Sequence, residues 1–501
     1  MQQRRRLSAP DVARVALCCV ILGTATGCPS PPATTPPSGA ARPAGASLAV
    51  ACSDPVYAGR LAQRAKAWAG RTGVAVRVVP DFADADVLVL PPGHLGATLS
   101  RPGFECLPLP AGFKANDHPV QRSRTAEAYR ETLTNWAGEV VGLPLVADGA
   151  VLVYRADRFA ADADRAGFAR AFGRPLQPPR TYEDAAEVAA YFHGVDGRPS
   201  LAPLPAGPGE LGTLFQRIVA CYDRPAAGEV EAGRGAKAGR STALGLLADP
   251  ATGVPRFQGP GFLAAARWLA ATAPFRPKSG PTDSGPALDT GTAVLDLMNL
   301  RDLARLPLDP ATGGVSARFA VAPLPGTRTC FDADGKPAAA AGEGNYVPFL
   351  GAHTLIGVVR KTCADPQAAW DFLADGAGAT GSAATLSDPA TGSGPFRREH
   401  VDEANERIWL GYKFDAEQSR NLSLALRRFL ALNVANPVTV TRLPDADARL
   451  AALDAILRRL GTGGLAPEAA MAEATAAWKA FDAKVPADAL TRQRRNAVGL
   501  P

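Results

Sequence analysis

Leu48-Ala49-Val50-Ala51-Cys52, and then Ala85-Asp86-Val87-Leu88-Val89-Leu90 closed by Pro91-Pro92-Gly93, are two short apolar runs bounded by turn residues. Between them lie a helical pattern from Tyr57 to Thr72 and a third apolar run from Val74 to Val79. Short apolar runs of this kind read as buried strands, and their alternation with a helix reads as βαβ units on a parallel sheet. In such sheets ligands sit beyond the carboxyl ends of the strands, which places Ser53, Asp54, Gly93 and His94 near a possible site. Asp54-Pro55 reads equally well as the N-terminal cap of the following helix.

A second sheet-like segment runs from Val140 to Arg155 and contains Asp148-Gly149. Thr181 with Asp184 three residues on predicts a capped helix start. Helical stretches follow at Leu211–Tyr222 and Gly261–Ala273, separated by a polar, Gly/Ala/Arg-rich insertion at Asp223–Ser241. Near the C-terminus Leu450, Leu453, Ile456, Leu457 and Leu460 recur at helical spacing up to Gly461. Pro467 then opens a helix whose stripe is Met471, Trp478 and Phe481, and this pair needs a partner surface. Asp-Pro-Ala-Thr-Gly occurs at Asp249, Asp309 and Asp388, unevenly spaced, and reads as three turns rather than a repeat. Trp68, Trp370 and Trp478 sit on helical apolar stripes and belong to the core.

The N-terminus carries Arg4, Arg5 and Arg6, an apolar run from Val15 to Leu22, and Ala25-Thr26-Gly27-Cys28 before a Pro/Ser/Thr/Gly-rich stretch. Basic start, short apolar run, small residues and cysteine is the order of a lipoprotein leader, and the run is too short for a permanent span. The expectation is a signal peptide at 1–27, lipid on Cys28 and a tether at 28–46, with an ordinary cleaved signal as the alternative. Either way the working protein lies outside the cytoplasm. The remaining chain is too long for one hydrophobic core. Its hydrophobic content of 47% is that of a globular protein, and part of the +6 net charge belongs to the leader, so nucleic acid is not an expected partner. Cys52, Cys106, Cys221, Cys330 and Cys363 are an odd number with no metal-ligand spacing, and their pairing stays open.

No motif carries catalysis: there is no G-x-S-x-G, no G-x-x-x-x-G-K-[ST] and no H-E-x-x-H, and the histidines are scattered. Gly207-Pro208-Gly209-Glu210-Leu211-Gly212 matches G-x-G-x-x-G, but Pro208 removes a donor from any phosphate cradle and no convincing strand precedes it.

Several segments, in order along the chain, resemble the extracellular solute-binding proteins of ABC transporters, family 1, the sugar-binding type, in a version similar to planctomycete lipoproteins. They are Trp136–Leu145 leading into Val151–Arg155, Thr181–Ala186, Phe319–Gly326, Asn345–His353, Pro366–Leu373, and the tail from Ala476 to Pro501. The resemblance implies an α/β periplasmic-binding fold. Lobe 1 would be 47–151 plus 353–395 and lobe 2 would be 152–352 plus 396–501, joined by crossing strands around a ligand cleft. It implies a monomeric, non-enzymatic protein without metal or cofactor that delivers a sugar or other small neutral solute to ABC permease subunits. A sensor or accessory protein on the same fold, and a glycan-processing enzyme with paired carboxylates across the cleft, are the alternatives.

On the same basis Tyr346 and Phe349 face the cleft and stack on a sugar, or belong to the hinge core, while His353 hydrogen-bonds hydroxyls or lies on the surface. Asn299 and Arg301 hydrogen-bond the ligand, or Arg301 pairs with Asp302 or a neighbour. Their loop, Met298–Asp302, lacks the aromatic platform that sugar binders often place there. Asp54 and Asp148 are candidate acceptors for sugar diols, Ser53 and Gly93 lie beside them, and Phe396-Arg397 marks a cleft-edge loop.

Overall fold

The computed structural model describes residues 47–501 except 116, 225–245, 250–251, 279–283, 333, 341–343 and 431–437. The leader at 1–27, Cys28 and the tether at 28–46 therefore lie outside the described residues, as does most of the insertion at Asp223–Ser241.

In chain order, strands β1 (Ser47–Cys52), β2 (Ala75–Val79), β3 (Val87–Leu90), β4 (Gly142–Val146), β5 (Ala150–Arg155), β6 (Leu295–Asn299), β7 (Phe319–Ala322) and β8 (Leu355–Val359) build two sheets. The first sheet has the order β2-β1-β3-β8-β4 and the second β6-β5-β7. β1 runs parallel to β2 and β3, with Val50 opposite Val78 and Val87, as the alternation of strands and helix predicts. β8 runs antiparallel to both β3 and β4, and β5 is antiparallel to both neighbours. The parallel expectation therefore holds only for the first three strands, because β8 enters from the other sheet and no crossover helix sets its direction.

Each sheet is covered by helices whose ends were readable. α1 (Pro55–Thr72) starts at Asp54, whose side chain accepts from the Tyr57 amide, and stops at Gly73 in the left-handed conformation, φ 74°. It buries Tyr57, Leu61, Ala65 and Trp68, one stripe at helical spacing. α2 (Tyr182–Asp196) carries the full reciprocal capping box between Thr181 and Asp184. α3 (Glu210–Asp223) and α4 (Pro260–Thr272) share a core with α6 (Ala446–Gly461) and α7 (Pro467–Asp482), so the C-terminal pair finds its partner surface on the second lobe. α5 (Pro366–Ala377) lies against the first sheet, where Phe372 meets Trp68 edge-on at 5.5 Å. Trp68, Trp370 and Trp478 are buried, each contributing about 2–3 kcal/mol of hydrophobic stabilisation.

The segment Val140–Arg155 is not one sheet. It crosses from β4 in the first sheet to β5 in the second at Ala147-Asp148-Gly149, so Ala150 and Val151, assigned by sequence to the first lobe, belong to the second sheet. Two further passages run beside it, Leu350–Thr354 and Gly392–Phe396. The Gly394 amide donates to the Ala147 carbonyl at 2.8 Å, and the Ser393 hydroxyl accepts from the Ala147 amide at 3.2 Å. A side chain at Gly394 would overlap the Asp148 carbonyl, which is why the backbones approach so closely. None of Cys52, Cys106, Cys221, Cys330 and Cys363 is in a disulfide, and no helix among the described residues is long and apolar enough to cross a membrane.

Candidate functional site

A cavity of about 620 Å³ opens between the two sheets. Its first wall comes from the carboxyl ends of β1 and β3, with Ser53, Asp54, Pro91 and His94, and from the crossing segment at Ala352–Leu355. Its second wall is β6 with the start of α3 and the Leu201–Gly207 loop. Ligand sites of open α/β sheets lie beyond the strand ends, and this one follows that rule on the first lobe.

Asp54 serves both readings that its sequence allows. One carboxylate oxygen accepts from the Tyr57 amide at 2.8 Å and caps α1, and the other accepts from Arg301 of the opposite wall at 2.8 Å. Arg301 also donates to the Thr391 carbonyl at 3.3 Å, so it pairs with Asp54 rather than with Asp302, and the cleft rim is fastened across the lobes. Asp302 instead lies 3.6 Å from Arg305. Thr391 and Gly392 belong to the third Asp-Pro-Ala-Thr-Gly. The second and third copies are turns, with Asp309 and Asp388 accepting from the backbone amides that close them; Asp249 accepts from the Gly253 amide in the same way, residues 250–251 lying outside the described residues, and the third copy also lines the cavity.

Arg217, on α3, is a buried cationic element of the cavity, at 7% exposure. Its Nη2 donates to the Asn299 amide oxygen at 3.0 Å, while its Nε is buried without a partner. Asn299 ends β6 and its side chain does not cap the next helix, so it is held by Arg217 instead. His353 lines the same space, and its Nε2 is also buried without a hydrogen bond. Burial, reinforced by the charge of Arg217, pushes the His353 imidazole down to about 4, so it is neutral near pH 7. Arg276 stacks over Trp268 at 5.9 Å and donates to the Ala202 carbonyl at 2.7 Å. Burial lowers it to about 10, opposed by the charge of Asp296.

Of the residues singled out in the sequence, the structure brings Ser53, Asp54, Asn299, Arg301 and His353 together around the cavity. The others serve elsewhere. Gly93 faces the Thr441 carbonyl, and its neighbours Pro91 and His94 take the wall. Asp148, at 0% exposure, is not a ligand group: it accepts from the Gly351 amide at 2.6 Å, the His353 amide at 2.8 Å and the Thr354 hydroxyl at 2.6 Å, which ties two crossing segments together. Phe349 is buried in the short parallel pair with Val438, and Tyr346 packs beneath Arg428 at 5.4 Å; neither lines the cavity. Phe396 is buried against Tyr129 and His400. Arg397 is fully buried, donating to the Val120 and Ala377 carbonyls and pairing with Glu399 at 2.6 Å. The stacking expectation fails with them: the aromatic ring that lines the cavity is Trp268, whose indole N–H donates to the Tyr182 carbonyl and whose face meets Arg276.

Sequence reasoning missed Arg217, Arg276 and Asp296. The signal was there, since Arg217 sits in Leu214-Phe215-Gln216-Arg217-Ile218-Val219 and Asp296 in Val294-Leu295-Asp296-Leu297-Met298. A charge inside a largely apolar run is buried for a purpose or paired. The G-x-G-x-x-G at Gly207 binds no phosphate here, because the Gly209 and Gly212 amides donate to Asp454 of α6 at 2.8 and 2.5 Å.

The two lobes, the crossing segments and the cleft between them define the class: this is the periplasmic-binding α/β fold of ABC-transporter sugar-binding proteins. The chain is similar to the sugar-binding protein MalE from Xanthomonas citri, at 16% identity and TM-score 0.62 over 87% of this chain and 98% of that one. It is also similar to the cyclic alpha-maltosyl-1,6-maltose binding protein from Arthrobacter globiformis, at 12% identity and TM-score 0.59 over 87% and 98%. An ABC transporter solute-binding protein from Agrobacterium radiobacter in complex with ribitol matches at 16% identity and TM-score 0.58 over 88% and 100%. No protein-family model and no curated protein matches the sequence.

Proposed function

We propose that the protein is an extracytoplasmic solute-binding protein, anchored by lipid on Cys28, that captures a saccharide or polyol between its lobes and presents it to the permease of an ABC importer. The observation that carries the reading is the cavity itself, walled by both sheets and set beside three passages of chain from one lobe to the other. A ligand that touches both walls only when they are close shifts the population toward the closed form. Neighbours of this fold are described with maltotetraose, ribitol and cycloalternan, which makes hydroxyl-rich solutes the first to try. Ser53, Asp54, Asn299, Arg301 and His353 supply the donors and acceptors such a solute needs.

The test is a thermal-shift screen of the full-length protein with mono- and oligosaccharides and polyols, followed by small-angle scattering with each hit. A ligand at 100 times its Kd adds about 2.7 kcal/mol of stability, an easily read shift. Stabilisation accompanied by a smaller radius of gyration supports the reading. Stabilisation without compaction removes hinge closure from it, and mass spectrometry of the membrane form with no acyl mass on Cys28 removes the anchor.

A further inference from the structure

We infer that the solute carries a carboxylate, as a uronic or aldonic acid unit does, and that Arg217 receives it with Asn299 and His353 beside it. The inference rests on the solute-binding reading and specifies its substrate class. It departs from the neutral sugar that the sequence suggested.

Three observations carry it. The first is the pairing of charges around the cavity. Arg301 is paired with Asp54 at 2.8 Å, Arg305 lies 3.6 Å from Asp302, and Arg276 has the charge of Asp296 beside it. Arg217 has Asn299, a neutral amide, as its hydrogen-bond partner among the described residues. The Asp148 carboxylate, whose charge acts on His353 together with that of Arg217, spends its hydrogen bonds on its own crossing segments and makes none with Arg217.

The second is the contrast with the other buried arginines. Arg360 donates to the Phe82, Ala83, Ala85 and Gly103 carbonyls, and Arg442 to those of Thr132, Leu133 and Asn135. Arg397 and Arg449 are held by carboxylates. Arg360, Arg397 and Arg442 each also leave one buried nitrogen without a partner, but each makes three or four hydrogen bonds to the protein, because desolvating a guanidinium with few partners is costly. Arg217 lines an open cavity instead, with its fork unused except for one donor. A guanidinium fork matches a carboxylate in a bidentate manner.

The third is the surround. His353 also lines the cavity, and its Nε2 is a second buried nitrogen without a partner. In its neutral form it offers one N–H donor or one acceptor and adds no charge that would need a further anion. Leu152, Leu201, Leu214 and Leu297 line the cavity nearby, and Trp268 is already covered, so ring stacking is a minor contribution and the polar cluster must provide selectivity.

The experiment is calorimetry on the full-length protein with matched pairs: D-glucuronate against D-glucose, D-galacturonate against D-galactose, D-gluconate against D-sorbitol, and the corresponding oligouronates. The expected result is binding of one or more acids with the neutral parent at least about tenfold weaker, and a loss of about ten- to a hundredfold for that acid in Arg217→Gln. Arg217→Lys keeps the charge but not the fork and should fall between the two; it also serves if Arg217→Gln does not fold. Neutral parents binding as well as or better than their acids would overturn the carboxylate inference and leave the saccharide reading standing. Wild-type affinity for the acid in a folded Arg217→Gln or Arg217→Lys would overturn the role of Arg217. Binding of neither class would overturn both the inference and the saccharide reading.

Discussion

Asp148 and Arg217 are both more than nine-tenths buried, and they are treated in opposite ways. Asp148 lies in the crossing segments and accepts from two backbone amides and one hydroxyl. Arg217 lies in the cleft and uses one donor on one neutral partner. Burial alone therefore does not separate a structural charge from a functional one. The number of partners that the protein supplies does: Arg360, Arg397 and Arg442 each leave one nitrogen unpartnered yet make three or four hydrogen bonds, whereas Arg217 makes one. The two buried histidines divide in the same way. His400 takes the Ser382 hydroxyl on one nitrogen and the Phe396 and Arg397 amides on the other, whereas Nε2 of His353 has no partner.

The comparison is most exposed to failure at Asp148. Asp148→Ala leaves the Gly351 and His353 amides and the Thr354 hydroxyl without their acceptor, and urea unfolding should show a loss of about 3–5 kcal/mol. A loss below about 1 kcal/mol would mean that the crossing segments do not depend on it.

Acid should act next. His353 is lowered to about 4 by burial and Arg217, and His400 to about 3 by burial and Arg397, against an ordinary value of 6.5. As pH falls below 6.5 the unfolded chain takes up these protons before the folded one, so stability present above pH 6.5 is lost toward pH 4 and below. Each histidine contributes a slope of up to about 1.4 kcal/mol per pH unit in that window. Both His353→Gln and His400→Gln should flatten the acid limb measured by chemical denaturation. Only His353→Gln should also weaken ligand, and an equal effect of both on binding would erase the distinction.

Arg217→Met sharpens the comparison through its sign. Replacing a buried charge that makes a single hydrogen bond by an apolar side chain of similar length should leave the ligand-free protein as stable as before or more stable by about 1–2 kcal/mol, while binding is lost. Destabilisation by more than about 2 kcal/mol would place Arg217 with Asp148 as a structural charge. The smallest effect belongs to the rim. Arg301 is nearly half exposed, so Arg301→Ala should cost about 0.2–1 kcal/mol. Its clearer signature is scattering, where the ligand-free mutant should be no more compact than wild type.

Much of the fold was legible because it is written in local patterns. The stripe Tyr57, Leu61, Ala65, Trp68, the capping box at Thr181 and the strand runs before Ser53 and Pro91 all depend on neighbours within a turn or two. The site was half legible. Ser53, Asp54 and His94 follow from the rule that strand ends face the cleft, and Asn299, Arg301 and His353 from the family resemblance. Phe349, Phe396, Arg397 and Asp148 were misplaced for one reason: an aromatic ring or a charge near a crossing can turn toward the cleft or toward the hinge, and spacing is the same in both cases.

The sequence by itself determined the first three strands, the helix ends and the apolar faces, since backbone propensity, capping and burial periodicity are properties of contiguous residues. It also determined that the second and third Asp-Pro-Ala-Thr-Gly segments are turns. Only the tertiary structure decided that β8 runs antiparallel between β3 and β4, that the third of those segments lines the cavity, and that Asp54 meets Arg301 across it. Only the tertiary structure separated Asp148 from Arg217, because whether a buried charge finds its partners depends on segments more than 80 residues away.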